Sequence, residues 1–167
     1  MSDSTISLAI AGEERILFRL LQLYYFESTR WSGEDIQDDG LYDSSEEGLA
    51  NYMQGEDGVA AYLVRVDGHL AGFVLTERYE FEGEIVDELA DLFVLPKYRG
   101  RGIATQLIER LILPAQHPWL IAVFRDDAEA LRFWSGAFER LPFRSMRPWD
   151  VASRPQFHLF RLNETPA

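Results

Sequence analysis

Residues 92–106 read LFVLPKYRGRGIATQ: an apolar run that stops at Pro96, two glycines alternating with arginines, and then the start of a helical stripe. A short apolar run of this kind, bounded by proline, predicts a strand. Ile103, Leu107, Ile108, Leu111 and Ile112 share one helical face, and Pro114 closes that helix. A strand that passes through a glycine turn into a helix leaves the first helical N–H groups without intrahelical acceptors, beside the positive end of the helix dipole. Gly100 and Gly102 permit close approach to the backbone, while Lys97, Arg99 and Arg101 add positive charge. Such a junction suits a polyphosphate. From glycines and arginines alone, a tight turn with solvated cations is an equally good reading.

The pattern on either side defines the fold class. STISLA (4–9) predicts a strand, and Ile16, Leu17, Leu20, Leu21, Leu23 and Tyr24 mark a helix by their spacing. Ser44-Ser45-Glu46-Glu47 has the capping-box pattern, followed by a short helix with Leu49, Tyr52 and Met53 and a stop at Gly55. VAAYLVRV and HLAGFVLTERY are strands joined by Asp67-Gly68, a strong hairpin signal, and EIVDELADLFVL returns through a turn near Glu82-Gly83. Beyond the junction helix, WLIAVF predicts a buried strand and DDAEALRFWSGAF a further helix, which makes a β-α-β crossover. The tail suggests one strand near Phe143 and a better one at FHLFRL. Antiparallel strands followed by a crossover imply an α/β fold with a mixed, mainly antiparallel central sheet flanked by helices. A chain of 167 residues is expected to form a single domain over 1–167.

Composition narrows the function. Hydrophobic residues at 47% and charged residues at 26% describe an ordinary globular chain. A net charge of -12 argues against nucleic acid and against anionic membranes, and leans toward a cationic substrate. The longest apolar stretch, ILFRLLQLYYF, is interrupted by Arg19 and Gln22 and falls short of the ~20 residues of a bilayer span. MSDSTISLAI lacks a basic n-region, so a cytoplasmic location is expected. The absence of cysteine excludes disulfides, thiolate metal ligands and a cysteine nucleophile, and His69, His117 and His158 show no metal-ligand spacing. No metal is expected.

Two familiar phosphate loops can be compared with the junction. The nucleoside-triphosphate loop has no match. The dinucleotide fingerprint fits at Gly100 and Gly102, with Asp126 near the end of the next strand. Its third glycine is replaced by Thr105, and three strands precede it, which leaves a dinucleotide-dependent oxidoreductase as a distant alternative.

The stretch ELADLFVLPKYRGRGIA, residues 88–104, resembles motif A of the GNAT superfamily of N-acetyltransferases. That loop carries Arg or Gln, then Gly three residues on, then Gly or Ala after one more, met here by Arg99, Gly102 and Ala104. The order of elements from residue 4 to about 162 is also similar. The resemblance implies an acyl-CoA N-acyltransferase-like fold and acetyl-CoA as co-substrate. It implies that the pyrophosphate of coenzyme A rests on the amides of Gly100, Arg101, Gly102, Ile103, Ala104 and Thr105, with Arg99 at the entrance. Leu92, Phe93 and Val94 would pair with the pantetheine arm, and the Val94 N–H would face the thioester carbonyl as oxyanion donor. One such donor contributes roughly 3 kcal/mol in the transition state.

An acceptor amine with a pKa of about 10.4 must lose a proton before it attacks. Glu88, six residues before Val94, is the candidate general base by resemblance to the glutamate of histone-acetylating members; a solvated strand-end glutamate is the alternative. Alternation would put Glu88, Ala90, Leu92 and Val94 on one face and Asp91 on the other, unless a bulge intervenes. Motif B departs from the family: Asp127 and Trp134 stand where an asparagine that binds coenzyme A and a proton-donating tyrosine are usual, and by that correspondence both are expected to contact coenzyme A. Tryptophan gives up no proton at useful pH, which keeps a non-catalytic acyl-CoA-binding module in view. The expected partner is a small-molecule amine; a homodimer is compatible with the sequence.

The acidic residues Glu34, Asp35, Asp38, Asp39, Asp43, Glu46 and Glu47, with Glu80, Glu82, Glu84 and Asp87, suggest a field that draws a cationic acceptor. Arg144, Arg147 and Arg154 around Trp149 suggest instead an acceptor bearing a carboxylate as well.

Overall fold

The computed structural model describes residues 4–42, 45–81, 83–149 and 151–164. Seven strands form one sheet in the order β1-β2-β3-β4-β5-β7-β6. The elements are β1 (Ser4–Leu8), α1 (Glu14–Ser32), β2 (Ala60–Val66), β3 (His69–Phe81) and β4 (Glu84–Val94), then α2 (Ile103–Leu111), β5 (Trp119–Phe124), α3 (Ala128–Arg140), β6 (Met146–Pro148) and β7 (Phe157–Leu162). The strands and helices fall into two compact units: Met1–Thr76 with Asp91–Arg101, and Glu77–Ala90 with Gly102–Ala167.

In the first unit β1 pairs antiparallel with β2, and β2 with β3. Asp67 and Gly68 both take positive φ, 49° and 79°, as a two-residue turn matched to strand twist requires. The register of β2 on β3 slips between Val64, opposite Gly72, and Arg65, opposite Leu70, so Ala71 is the extra residue of a bulge. That bulge turns the Ala71 carbonyl to accept from the Leu95 N–H at 2.8 Å. Next to it, Gly72 lets the strands close up: a Cβ there would lie 2.1 Å from the Phe93 carbonyl oxygen. The apolar stripe of α1 buries Leu17, Leu20 and Leu21, and Tyr24 packs its ring against Phe73 of β3 and Phe93 of β4 at 6.0 and 5.7 Å. The segment after α1 ends in a 3-10 turn, Glu47–Met53, packed on α1 and β2. Just ahead of it, the Ser45 Oγ accepts from the Gly48 N–H at 3.0 Å. Ser44, the first residue of the expected capping box, lies outside the described residues, as do Asp43 and Glu82.

In the second unit β4 runs parallel to β5 through Asp87↔Trp119, Glu88↔Leu120 and Leu89↔Ile121, the crossover expected from sequence. β5 pairs antiparallel with β7 along its whole length. α3 is capped by Asp127, whose Oδ1 accepts from the Ala130 N–H at 2.9 Å, and lays Phe138 on Phe160 of β7 at 4.9 Å. The expected strand near Phe143 forms three residues later, as β6 paired to β7 from Met146↔Leu162. Phe143 itself packs on Phe138, and the Arg144 N–H is taken by the Oδ1 of buried Asn163, so this stretch is spent turning the chain. Asn163 also donates Nδ2–H to the Ile112 carbonyl at 2.8 Å, fastening the end of α2.

Arg99 closes the first unit. Its Nε–H donates to the Val94 carbonyl at 2.8 Å and its terminal nitrogens donate to the two oxygens of Glu27 on α1, each at 2.7 Å. Hydrogen bonding from Arg99 holds the Glu27 carboxyl below the ordinary 4.5. A depressed folded-state pKa stabilises the fold above the unfolded value and ceases to do so as the pH falls through the folded one. Thermal melts of the wild type minus those of Glu27→Gln are therefore expected to show a stability difference that is constant above pH 4.5 and shrinks below it. A pH-independent difference would show that the pair contributes by packing alone. Gly72→Ala is expected to lower stability by about 3 kcal/mol, a melting shift of roughly 10 °C, because two strand backbones must separate. An unchanged melting temperature would show that the strands part without cost.

Candidate active site

The junction is built from its backbone. β4 ends at Val94, Pro96–Tyr98 makes a 3-10 turn, and Gly100 and Gly102 take φ of 73° and 78°. Left-handed backbone at both positions is where glycine is needed, and a Cβ built on either would meet no chain atom within 4 Å. Gly102 is the N-cap of α2, with no side-chain cap. The first bond into the helix runs from the Gln106 N–H to the Gly102 carbonyl at 3.0 Å. The amides of Ile103, Ala104 and Thr105 therefore precede the helical ladder. Open space in front of glycine backbone and a run of amides at a helix start together suit a phosphate-bearing ligand.

The cations of the loop have partners within the chain. Arg99 is spent on Glu27 and Val94, as described. Lys97 and Arg101 lie over the ring of buried Tyr98, at 5.2 and 5.4 Å, and Arg101 also donates to the Lys97 carbonyl at 3.4 Å. Positive charge stays in the loop, while its backbone carries the anion-binding geometry. Of the three residues read as pairing with pantetheine, Phe93 is buried against Tyr24 and Phe73, whereas Leu92 and Val94 are half-buried.

Glu88 is 8% exposed, and its surroundings were not legible from its spacing. Tyr79 of β3 donates its hydroxyl to Glu88 Oε2 in a short hydrogen bond. Arg154, in the loop before β7, donates from one terminal nitrogen to Glu88 Oε1 at 3.1 Å and Oε2 at 3.4 Å, and from the other to the Tyr79 hydroxyl at 2.8 Å. Burial, and then the bond to Glu88, push the Tyr79 phenol well above its ordinary 10, so it stays protonated. Four consecutive residues of β4, Val86 to Leu89, are buried, so the strand is covered on both faces there, with polar partners over both Asp87 and Glu88. Asp87, 4% exposed, is held by Arg78 and His117.

Both motif B residues lie on or at the start of α3. Asp127 caps α3, and Trp134, 5% exposed, packs between Phe133 and Phe138 at 5.4 and 5.6 Å. In the tail, Arg147 pairs with Glu164, Arg144 with Gln116 and the carbonyls of Ala115 and Asn163, and the cation closest to the Trp149 ring is Arg161, at 4.4 Å. Arg161 also pairs with Glu84. Among the described residues, no group of three His, Asp or Glu side chains is placed to hold a metal. No described helix is long and apolar enough to cross a membrane.

Comparison with known proteins agrees with this arrangement. The structure superposes on an acetyltransferase of the GNAT family from Staphylococcus aureus with a TM-score of 0.66 at 15% identity, covering 97% of this chain and 100% of that one. The PaiA N-acetyltransferase of Thermoplasma acidophilum, solved in complex with coenzyme A, gives 0.63 at 13% identity, covering 95% and 98%. An uncharacterized N-acetyltransferase of Archaeoglobus fulgidus is 38% identical over 53 residues, which is 30% of this chain and only 36% of that protein. Residues 17–138, well over half of the chain, match the family model for the acetyltransferase (GNAT) family, and the chain belongs to that family.

Proposed function

We propose that this protein moves an acetyl or other small acyl group from acetyl-CoA to a primary amine. The observation that carries the reading is the junction from β4 to α2, where two left-handed glycines and the unladdered amides of a helix start present open backbone. Gly100, Arg101, Gly102, Ile103, Ala104 and Thr105 would hold the pyrophosphate, and the end of β4, Leu92, Phe93 and Val94, would pair with the pantetheine arm. Acetyl-CoA supplies the activated thioester. The Val94 N–H would stabilise negative charge on the thioester oxygen, and Glu88 would take the proton of the amine. Family membership and the fold shared with a protein solved with coenzyme A support this. Asp127, which caps α3, and Trp134, packed on the same helix, would border the bound coenzyme A. A cytoplasmic location and a small amine as acceptor belong to the same proposal.

The acidic field is thinner than its composition. Glu46 pairs with Arg15, Glu84 with Arg161 and Asp87 with Arg78, while Glu34, Asp35, Asp38, Asp39, Glu47 and Glu80 stay exposed. Among the described residues, attraction of a cationic acceptor would rest on these six and weaken with salt.

Calorimetry with coenzyme A tests the cradle. Gly102→Val puts a branched side chain where the phosphate would lie, and a folded variant is expected to bind about tenfold or more weakly, at least ~1.4 kcal/mol. Equal affinity would reduce the loop to a turn. For the chemistry, Glu88→Gln is expected to lower turnover near neutral pH about a hundredfold, with acetyl-CoA affinity nearly intact and recovery as the pH approaches the pKa of the amine. A pH–rate profile identical to the wild type would remove Glu88 from the reaction.

A further inference from the structure

A carboxylate that takes a proton from an amine must face that amine with a lone pair, yet both oxygens of Glu88 already accept hydrogen bonds from Arg154, and Oε2 accepts from Tyr79 as well. The other acidic residues nearby are partnered from within the sheet: Asp87 by Arg78 on β3, with His117 just before β5, and Glu84 by Arg161 on β7, which also meets Glu164. Glu88 differs, because its cation comes from a loop. Arg125 holds that loop at Gln156, through a backbone bond of 3.0 Å, and at Pro155, through its side chain at 2.8 Å. Release of the Arg154 guanidinium therefore needs only a long side chain to swing.

The guanidinium lies where three features attractive to any cation converge. These are the buried carboxylate of Glu88, the phenol oxygen of Tyr79, and the ring of Phe81, whose centroid is 5.0 Å from the guanidinium carbon. The Tyr79 ring is 5.7 Å away. Both rings are within the ~6 Å over which an aromatic face attracts a cation. We propose that the corner formed by Glu88, Tyr79 and Phe81 is the subsite for the cationic group of the acceptor, and that Arg154 fills it as the chain's own stand-in until an ammonium or guanidinium replaces it. The inference rests on the reading of Glu88 as proton acceptor. An ammonium in this corner meets the same carboxylate and the same ring face. It then passes one N–H proton to Glu88, which becomes a neutral carboxylic acid, and the nitrogen is left with a free lone pair. Tyr79 stays protonated throughout and fixes Oε2, so Oε1 is the oxygen Arg154 uncovers.

The test uses the full chain with agmatine and spermidine as probes. In wild-type protein labelled with ¹⁵N, the Arg154 Nε–H resonance, assigned by its loss in Arg154→Lys, is expected to move to a solvent-exposed position as either amine is added. Calorimetry on Arg154→Ala is expected to show binding of the same amine about tenfold or more tighter, because the corner no longer has to be vacated. Glu88→Gln is expected to abolish that binding. An Arg154 resonance unmoved at saturating amine, or no amine binding by wild type and Arg154→Ala alike, would overturn the proposal; so would equal affinity in the two. Should Arg154→Ala fail to fold, the wild-type resonance decides. Acetyl-CoA titration of the same samples separates this idea from the one beneath it. Acetyl-CoA binding with a fixed Arg154 sinks the subsite alone, whereas absent acetyl-CoA binding sinks the acyltransfer reading while the amine titration still reports on the corner.

Discussion

Arg99 donates its Nε–H to the Val94 carbonyl and both terminal nitrogens to Glu27, and the geometry of the junction depends on this arrangement. The chain leaves β4 at Val94 and must start α2 at Ile103, with a 3-10 turn and two left-handed glycines in between. A guanidinium that spans the strand end and α1 fixes where the turn begins. A bidentate carboxylate pair suits this task because its planar fork sets orientation as well as distance. Arg99, expected from sequence at the entrance of the phosphate site, holds the strand end to α1, and in the proposed reading the loop backbone would meet the anion.

Much of the fold was legible because its signals are local. Asp67-Gly68 specifies a turn by its own backbone preference, Ile103, Leu107 and Ile108 specify a helix by period, and WLIAVF specifies a buried strand by composition. The expected strand near Phe143 was displaced to Met146–Pro148 because that stretch answers to Asn163 and Phe138, which lie elsewhere in the sequence. The same limit applied to the site. Glycine spacing located the left-handed turn before α2, whereas the partners of Glu88 lie 9 and 66 residues away, and no periodicity connects Tyr79, Glu88 and Arg154. Glu27, 72 residues from Arg99, was invisible for the same reason.

Charge tells a related story. A net charge of -12 suggests a broadly negative molecule, yet Glu84, Asp87, Glu88 and Glu164 each have an arginine against them. Exposed ion pairs contribute little to stability, so the partly exposed ones, such as Arg147 with Glu164, matter more for where free charge remains than for holding the fold. Buried carboxylates are another matter. Asp87 and Glu88 would cost several kcal/mol each if left unpaired, and their arginines are what allow two adjacent acids to sit inside the sheet. Any cation that relieves Glu88 of Arg154 must therefore match it in charge, which selects for ammonium and guanidinium groups over neutral ones.

The distribution of titratable groups also bears on which half of an acyl transfer the chain assists. At the motif B position stands Trp134, buried among phenylalanines and carrying no proton to give, so a departing thiolate meets no acid there. A thiolate with a pKa near 8.5 leaves without one at modest cost. An amine with a pKa of about 10.4 is otherwise blocked by its own proton near neutral pH. The structure gathers a buried carboxylate and a phenol held in its protonated form around one point, whereas Trp134 is taken up by aromatic packing. In the proposed reaction the barrier that the protein lowers by proton transfer lies on the acceptor, which is why the occupancy of Glu88, more than the identity of residue 134, would set the rate.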